Sequence, residues 1–384
     1  MNDATFILFE LRSFSQKELN HLLVIPYRIK KRRFSMEKKV FCARPFEFFE
    51  VDAEGDAWVC CQDWLDTSIG NLRNNSLMEV WNSPVAQDIR KSILDGSFNY
   101  CNKDTCPKIV SNSLVEIQNI TDPYRKKIVS EQPIVLDNGP LTLNLGYDNS
   151  CNLFCRSCRP HIIALTGDEF GIAEVMQKRV IAEGFKDAKR AIITGHGDAI
   201  ASRLFRKLLQ DLEAKEYPGL RIDLMTNGLL FTSPMWDSFR KSHKAIRSVS
   251  ISIDAATEAT YKINRSNGDF RKLLNNLDFI RTLRTSEKIT FFEISFVVQK
   301  NNYNEMRSFI EIGKRLSCDT VLFQKIINWG CGTYTSDEFK EVAIHEKQHP
   351  EHKAFVEVLK NPIFADPIVN LSNLSNLVPA RIHA

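Results

Sequence analysis

From residue 141 onward the chain alternates two kinds of segment, and this alternation limits the fold more than any other feature. Strand-like runs at 141–146, 190–195, 220–226, 247–254, 289–298 and 319–327 are rich in β-branched and apolar residues. Helix-like stretches lie between them, near 169–184, 200–216, 234–243, 269–285 and 302–316. In the fourth of these, Phe270, Leu273, Leu274, Leu277, Ile280 and Leu283 recur at helical spacing. Six strands alternating with helices predict an α/β fold, a parallel sheet with right-handed crossovers.

Three cysteines follow directly on the first strand-like run, in Cys151-Asn-Leu-Phe-Cys155-Arg-Ser-Cys158. Thiolates are soft ligands, and a tight group of them on one loop suits zinc or an iron–sulfur centre. Zinc takes four protein ligands, or three around a water. Three cysteines on so short a loop suit a [4Fe–4S] cluster with one iron left free of protein.

Residues 41–130 read differently, as a smaller cysteine-rich domain without strand–helix alternation. Cys42 is followed by a turn at Gly55, the pair Cys60-Cys61, then Cys101 and Cys106. Between them stand Ile69-Gly-Asn-Leu72, a Ser76–Trp81 segment and Arg90. A zinc ribbon and an iron–sulfur domain both fit this pattern. Residues 1–40 read as an N-terminal extension, 136–330 as the strand–helix domain, and 331–384 as a capping segment with prolines at 350, 362, 367 and 379.

Composition excludes several classes. With 384 residues, 43% hydrophobic and 26% charged, the chain is long enough for two domains with a substantial core. It has no apolar run of about eighteen residues, so no membrane span is predicted. The apolar patch Phe6–Phe9 is interrupted by Asp3, Glu10 and Arg12, which argues against a secretory signal. The expected compartment is the cytoplasm, where ten cysteines serve as metal ligands rather than disulfides. A net charge of +4 does not demand nucleic acid, and the basic run Arg28–Arg33 reads as a solvated linker. Cys318 reads as packed core, and His345, His349 and His352 as part of a solvated tail helix.

The strand–helix domain resembles the radical S-adenosylmethionine (SAM) superfamily. The resemblance implies a partial (β/α)6 TIM-like barrel with its chemistry at the C-terminal ends of the strands. It implies that Cys151, Cys155 and Cys158 hold a [4Fe–4S] cluster whose open iron takes the amino and carboxylate groups of SAM. Thr194-Gly195-His196-Gly197-Asp198 looks like the GGEP-like loop whose backbone and acidic side chain hold the SAM ammonium, with Asp198 where Glu is usual and His196 between the glycines. Thr226 and Asn227, Ser252 and Asp254, and Asn301 look like the strand ends that bind ribose, carboxylate and adenine. Phe154 and Ser157 flank the cysteines, and Ser157 stands where a large side chain is usual.

Residues 41–108 resemble the SPASM/Twitch domain, which implies one auxiliary [4Fe–4S] cluster on Cys42, Cys60, Cys101 and Cys106, with Cys61 as an alternative ligand. That family usually carries the domain after the barrel, whereas here it comes first. The implied activity is reductive cleavage of SAM to a 5′-deoxyadenosyl radical that takes hydrogen from a peptide, or from a sugar-like or other small metabolite. Flavodoxin or ferredoxin is the expected electron donor. Cys331, beyond the sixth strand, is the best-placed hydrogen donor for an epimerisation. A non-enzymatic zinc-binding module that docks a partner is the alternative of another class.

Overall fold

The computed structural model describes residues 39–378 except Gly195, Trp329 and Cys331. The expectations for Gly195, Cys331 and the basic run 28–33 therefore lie outside the described residues.

The described strands are β1 (Val40–Phe41), β2 (Phe48–Val51), β3 (Asp56–Trp58), β4 (Gly70–Asn71), β5 (Val115–Glu116), β6 (Thr142–Leu145), β7 (Arg190–Ile193), β8 (Arg221–Thr226), β9 (Ile246–Ser252), β10 (Phe291–Val298), β11 (Thr320–Lys325) and β12 (Val369–Asn370). Ten form one sheet in the order β12-β11-β10-β9-β8-β7-β6-β2-β3-β4, and β1 pairs with β5 antiparallel. The pairings β6 to β11 are parallel and sequential, as right-handed strand–helix crossovers require.

Burial along these strands has period two. On β10, Phe292, Ile294, Phe296 and Val298 are fully buried. Phe296 packs against Phe309 of the crossover helix Met306–Arg315 and against Phe323 of β11, at ring separations of 4.8 and 5.6 Å. The alternate residues Glu293 and Ser295 face the other side, where Glu293 accepts from Ser250 Oγ at 3.0 Å and Ser295 meets Ser252 at 3.3 Å. One face of the sheet is thus an apolar seat for helices and the other is polar.

Helix starts follow local chemistry. Asp269 caps Phe270–Thr285 by accepting from Lys272 N at 2.9 Å, and Ser202 caps Arg203–Asp211 through Phe205 N. The stretch expected near 234–243 is only Ser233–Asp237. Within the strand–helix domain one helix was not expected, Glu258–Asn264. It is two turns long and buries Thr260, Tyr261 and Asn264, so it lacks the apolar stripe that marks a helix in sequence.

The cysteine-rich segment shares the main sheet. Strand β2 pairs in parallel with β6 from Phe48↔Thr142 to Val51↔Leu145, and β3 and β4 continue the sheet antiparallel. The described residues from Val40 onward form one compact unit. The physical reason is the first barrel strand, whose outer edge would otherwise expose unpaired backbone. Arg90 fixes the segment internally. Fully buried, it donates to Pro45 O, Trp81 O, Asn82 Oδ1 and Ile134 O and lies 4.4 Å over the Trp81 ring.

At the opposite edge β12 adds in parallel to β11, so part of the C-terminal segment extends the sheet. Its histidines are not solvated as expected. His349 is buried and binds Glu341 O, and the His345 side chain is 8% exposed. No described helix is long and apolar enough to cross a membrane.

Candidate cysteine-centred active site

The loop after β6 carries Cys151, Cys155 and Cys158 at the C-terminal end of that strand. Cys151 is tied to Ile163 by backbone bonds of 2.8 and 3.3 Å, while Cys158 N and Arg159 N both donate to Cys155 O. These bonds curl the loop so that the three thiols lie within electrostatic reach of one another. Burial pushes the Cys155 thiol up to about 11, and it raises Cys151 as well, with Asp198 adding to it. Burial therefore favours protonated thiols here; a cationic occupant would displace those protons.

Three donors reach the sulfurs. Arg159 Nη2 lies 3.4 Å from Cys158 Sγ, Arg265 Nη1 3.8 Å from Cys155 Sγ, and Asn227 Nδ2 3.8 Å from Cys151 Sγ. Arg159 also donates to Asn149 O and His196 O, both at 2.6 Å. Arg265 forms a 2.7 Å ion pair with buried Asp254. Burial works against the Arg265 charge, but its anionic neighbours Asp254, Cys155, Tyr261 and Cys158 outweigh it and its pKa lies above the ordinary range. Neither arginine stood among the sequence-derived site residues. Arg265 follows the unexpected helix, and Arg159 has no motif of its own; its position next to the third cysteine was the one available signal.

The expected strand-end residues do converge here, with altered roles. Asp198 is buried and its carboxylate already accepts four bonds, from Ile200 N, Ala201 N, Thr226 Oγ1 and Asn227 N, at 2.6–2.9 Å. A carboxylate has about four acceptor positions, so these bonds leave none for a ligand ammonium. Thr226 is occupied by the same carboxylate, and Asn227 is aimed by it at Cys151 and at Asn152 Oδ1, 2.9 Å away. Gly197 is where the loop presses on the cysteine loop: a Cβ there would lie 2.7 Å from Ser150 O and 2.8 Å from Asn149 C.

Asp254 sits at φ 61°, with its carbonyl held by Asn264 and Asn302 amides at 2.8 and 3.0 Å. Its carboxylate accepts from Val297 N as well as from Arg265. Asn301 donates to Asn264 Oδ1 at 2.7 Å, and Ser252 faces Ser295. Phe154 is exposed and Ser157 half-buried. The segment after β11 closes over the loop: Thr333 N donates to Arg156 O at 2.8 Å, the Arg156 guanidinium lies 4.7 Å over the Tyr334 ring, and it pairs with Glu338 at 2.7 Å.

The second group of cysteines also comes together. Cys42 is within electrostatic reach of Cys60, Cys101 and Cys106, and Cys101 of Cys106. Burial pushes Cys60 up to about 12 and Cys101 to about 11. Cys61 instead faces Asp63, Glu50 and Arg44. Cys318 is buried at the start of β11, away from both groups, and burial raises its thiol.

Among the described residues no group of three or more His, Cys, Asp or Glu side chains is arranged to hold a single metal ion. Three of the eight buried polar atoms without partners among the described residues lie at the two cysteine groups: Arg265 Nε and Tyr261 Oη beside Cys155, and Arg44 Nε beside the second group.

Comparison with known proteins gives two family matches. Residues 148–311 match the radical SAM superfamily, and residues 42–108 match the SPASM iron–sulfur cluster-binding domain. No curated protein matches the chain. Similar solved structures include Streptococcus suis SuiB, 13% identical over 84% of this chain and 70% of that one, with a TM-score of 0.43. They also include anSMEcpe with bound AdoMet, 21% identical over 53% and 58% (TM-score 0.36), and TYW1 with a lysine-pyruvate adduct, 14% identical over 60% and 72% (TM-score 0.37).

Proposed function

From the premise that this is a radical SAM protein with a SPASM domain, using SAM, a [4Fe–4S] cluster and auxiliary iron–sulfur binding, we propose that it is a maturase-type enzyme that abstracts hydrogen from a peptide substrate. In this reading Cys151, Cys155 and Cys158 hold the SAM-site cluster, and Cys42, Cys60, Cys101 and Cys106 hold one auxiliary cluster. Bound together and reduced, cluster and SAM supply a 5′-deoxyadenosyl radical that removes hydrogen from an unactivated carbon.

The observation that carries the reading is the set of donors on the loop sulfurs, Arg159 on Cys158, Arg265 on Cys155 and Asn227 on Cys151. Hydrogen bonds and cations at thiolate sulfurs govern the potential and orientation of what the thiolates hold. Asp198 acts through Asn227 and Thr226 as a positioning residue rather than as a contact to SAM. The Thr333–Glu338 segment holds the loop at Arg156. Ser250, Ser252, Glu293 and Ser295 on the polar face of β9 and β10 offer alternating hydrogen-bond partners, which suits an extended chain with donors and acceptors of its own.

Anaerobic reconstitution followed by reduction with dithionite and SAM tests the reading. Production of 5′-deoxyadenosine is expected, with deuterium carried into it from a labelled peptide substrate. Absence of SAM cleavage in iron-replete protein would refute the enzymatic reading. Cleavage with deuterium transfer only from small metabolites would refute the peptide.

A further inference from the structure

A polar cavity of about 250 Å³ lies beside the end of β11, and its walls include Lys325, Lys347, His345, Asn373, Leu374 and Leu377. Lys325 is the last residue of β11 and alternates with buried Val321 and Phe323, so it stands on the helix-covered face of the sheet and not on the polar face. That alternation sets the cavity apart from the cysteine loop. His345 comes three residues after the helix Ser336–Val342, and the remaining wall is the turn Ser372–Leu377.

The polar groups of this cavity are left unmatched by the chain around them. Among the described residues neither Lys325 nor Lys347 has an ion-pair partner. Asn373 accepts from Lys325 N through Oδ1 at 2.9 Å, and its Nδ2 has no partner among the described residues. The His345 side chain is 8% exposed, with Nε2 3.1 Å from Glu346 Oε1. A carboxylate only accepts, so Nε2 carries the ring proton, and buried Nδ1 has no partner at all. Burial lowers the His345 pKa, Lys325 and His352 add to that, and Glu346 opposes it. The empty cavity therefore holds a neutral imidazole whose Nδ1 lone pair meets no donor, and buried polar atoms in that condition are rare.

We propose that this cavity is a carboxylate-binding site, whose ligand sets its anionic head against Lys325, Lys347 and the Asn373 amide and a short apolar body against Leu374 and Leu377. The head is an anion because two unpaired ammonium groups face a single carboxylate, Glu346, that His345 already engages. An apolar body follows from the two leucines, which inorganic phosphate would not use. Binding takes up one proton from solvent. It bonds to His345 Nδ1, and the imidazolium then donates from Nδ1 to the ligand and from Nε2 to Glu346; no other bond forms or breaks. The charged groups around the ring are Lys325 of β11, Glu346 and Lys347 of its own segment and His352 of the helix His352–Leu359, while the Ser372–Leu377 turn contributes only the neutral amides Asn373 and Asn376. The site does not depend on the peptide reading, since a free acid and the carboxy-terminus of a peptide present the same head and body.

The experiment is isothermal titration calorimetry of the reconstituted full chain at constant ionic strength. The probes are N-acetyl-leucine, an acetylated Ala-Ala-Leu tripeptide with a free carboxylate, the carboxamide of that tripeptide, and inorganic phosphate. Both acids should bind saturably, and the carboxamide should bind at least about tenfold more weakly. A tripeptide that binds about tenfold more tightly than N-acetyl-leucine assigns the site to a chain terminus, and equal affinity assigns it to a free acid. Lys325→Gln and Lys347→Gln should each weaken binding by about tenfold. Affinity for N-acetyl-leucine should fall between about pH 6 and about pH 8, approaching tenfold per unit, and His345→Gln should flatten that dependence. No saturable binding of either acid, equal binding of the carboxamide, binding of phosphate alone, a pH-independent affinity in the wild-type chain, or acid binding unchanged by the lysine variants would each overturn the site. If Lys325→Gln does not fold, Lys347→Gln on the exposed rim decides in its place. Production of 5′-deoxyadenosine by the same wild-type sample reports separately on the radical reading.

Discussion

Arg265 and Asp254 face each other at 2.7 Å with little access to solvent, and the same guanidinium extends to Cys155 Sγ. Burial raises the Asp254 pKa, opposed by Arg265. Replacing Arg265 by Met would leave Asp254 buried without a counter-charge. The expected cost is about 3–5 kcal/mol at neutral pH. The loss should shrink as pH falls and Asp254 protonates, and Asp254→Asn in the same chain should recover part of it. Urea unfolding of the single and double variants at acid and neutral pH measures each term.

Cys155→Ala removes the most buried of the three loop thiols. Reductive SAM cleavage should fall to background, with the loss of about four iron atoms per chain. Unchanged 5′-deoxyadenosine output would contradict the ligand assignment.

Substituting Cys42 and Cys101 together should also remove about four iron atoms while leaving the EPR response of the other cluster to SAM intact. Cys61→Ala should keep the full iron content, because Cys61 interacts with Asp63, Glu50 and Cys60 but not with Cys42, Cys101 or Cys106. Iron and sulfide analysis of the anaerobically prepared proteins distinguishes the two cases.

Arg90→Ala strands two buried acceptors, Pro45 O and Trp81 O, and takes a donor from part-buried Ile134 O and Asn82 Oδ1, the latter keeping Leu136 N. Each unsatisfied buried group costs about 1–3 kcal/mol, partly relieved by water, so a loss of roughly 3 kcal/mol or more is expected. Thermal unfolding of the folded holoprotein reads it directly.

Asp52 titrates at about 6 against an ordinary 3.8, raised by burial first and then by Glu54 and Asp56. Its folded pKa is above its unfolded one, so its contribution is fully present below about pH 4 and is lost as pH rises through about 6. Asp52→Asn retains the acceptor for Asp56 N and removes the penalty. The variant should be more stable by about 1 kcal/mol at neutral pH, after discounting for solvent screening, and no more stable below about pH 4. Denaturation midpoints across that range give the sign.

The barrel strands and most crossover helices were legible because each satisfies a local rule. β10 alternates buried and half-buried side chains, and Phe270–Thr285 has both an apolar stripe and an Asp cap. The cysteine loop was legible because ligand spacing on one loop is itself local. What escaped depends on contacts distant in sequence. Arg265 matters because Cys155, 110 positions earlier, lies against it. Asp198 has the sequence look of a ligand contact, but only the fold reveals that Thr226 and Asn227 have claimed its oxygens. The joining of β2 to β6 was hidden because Phe48–Val51 is four residues long and separated from its partner by some ninety others.

That pairing has a practical corollary for anyone trimming the chain. Removing the residues ahead of β6 to obtain a minimal catalytic body would strip Thr142–Leu145 of its neighbour along the whole strand and leave a raw ribbon of amide groups next to the cysteines. A shortened protein of that kind should come out of solution by strand-to-strand association long before its chemistry could be assayed.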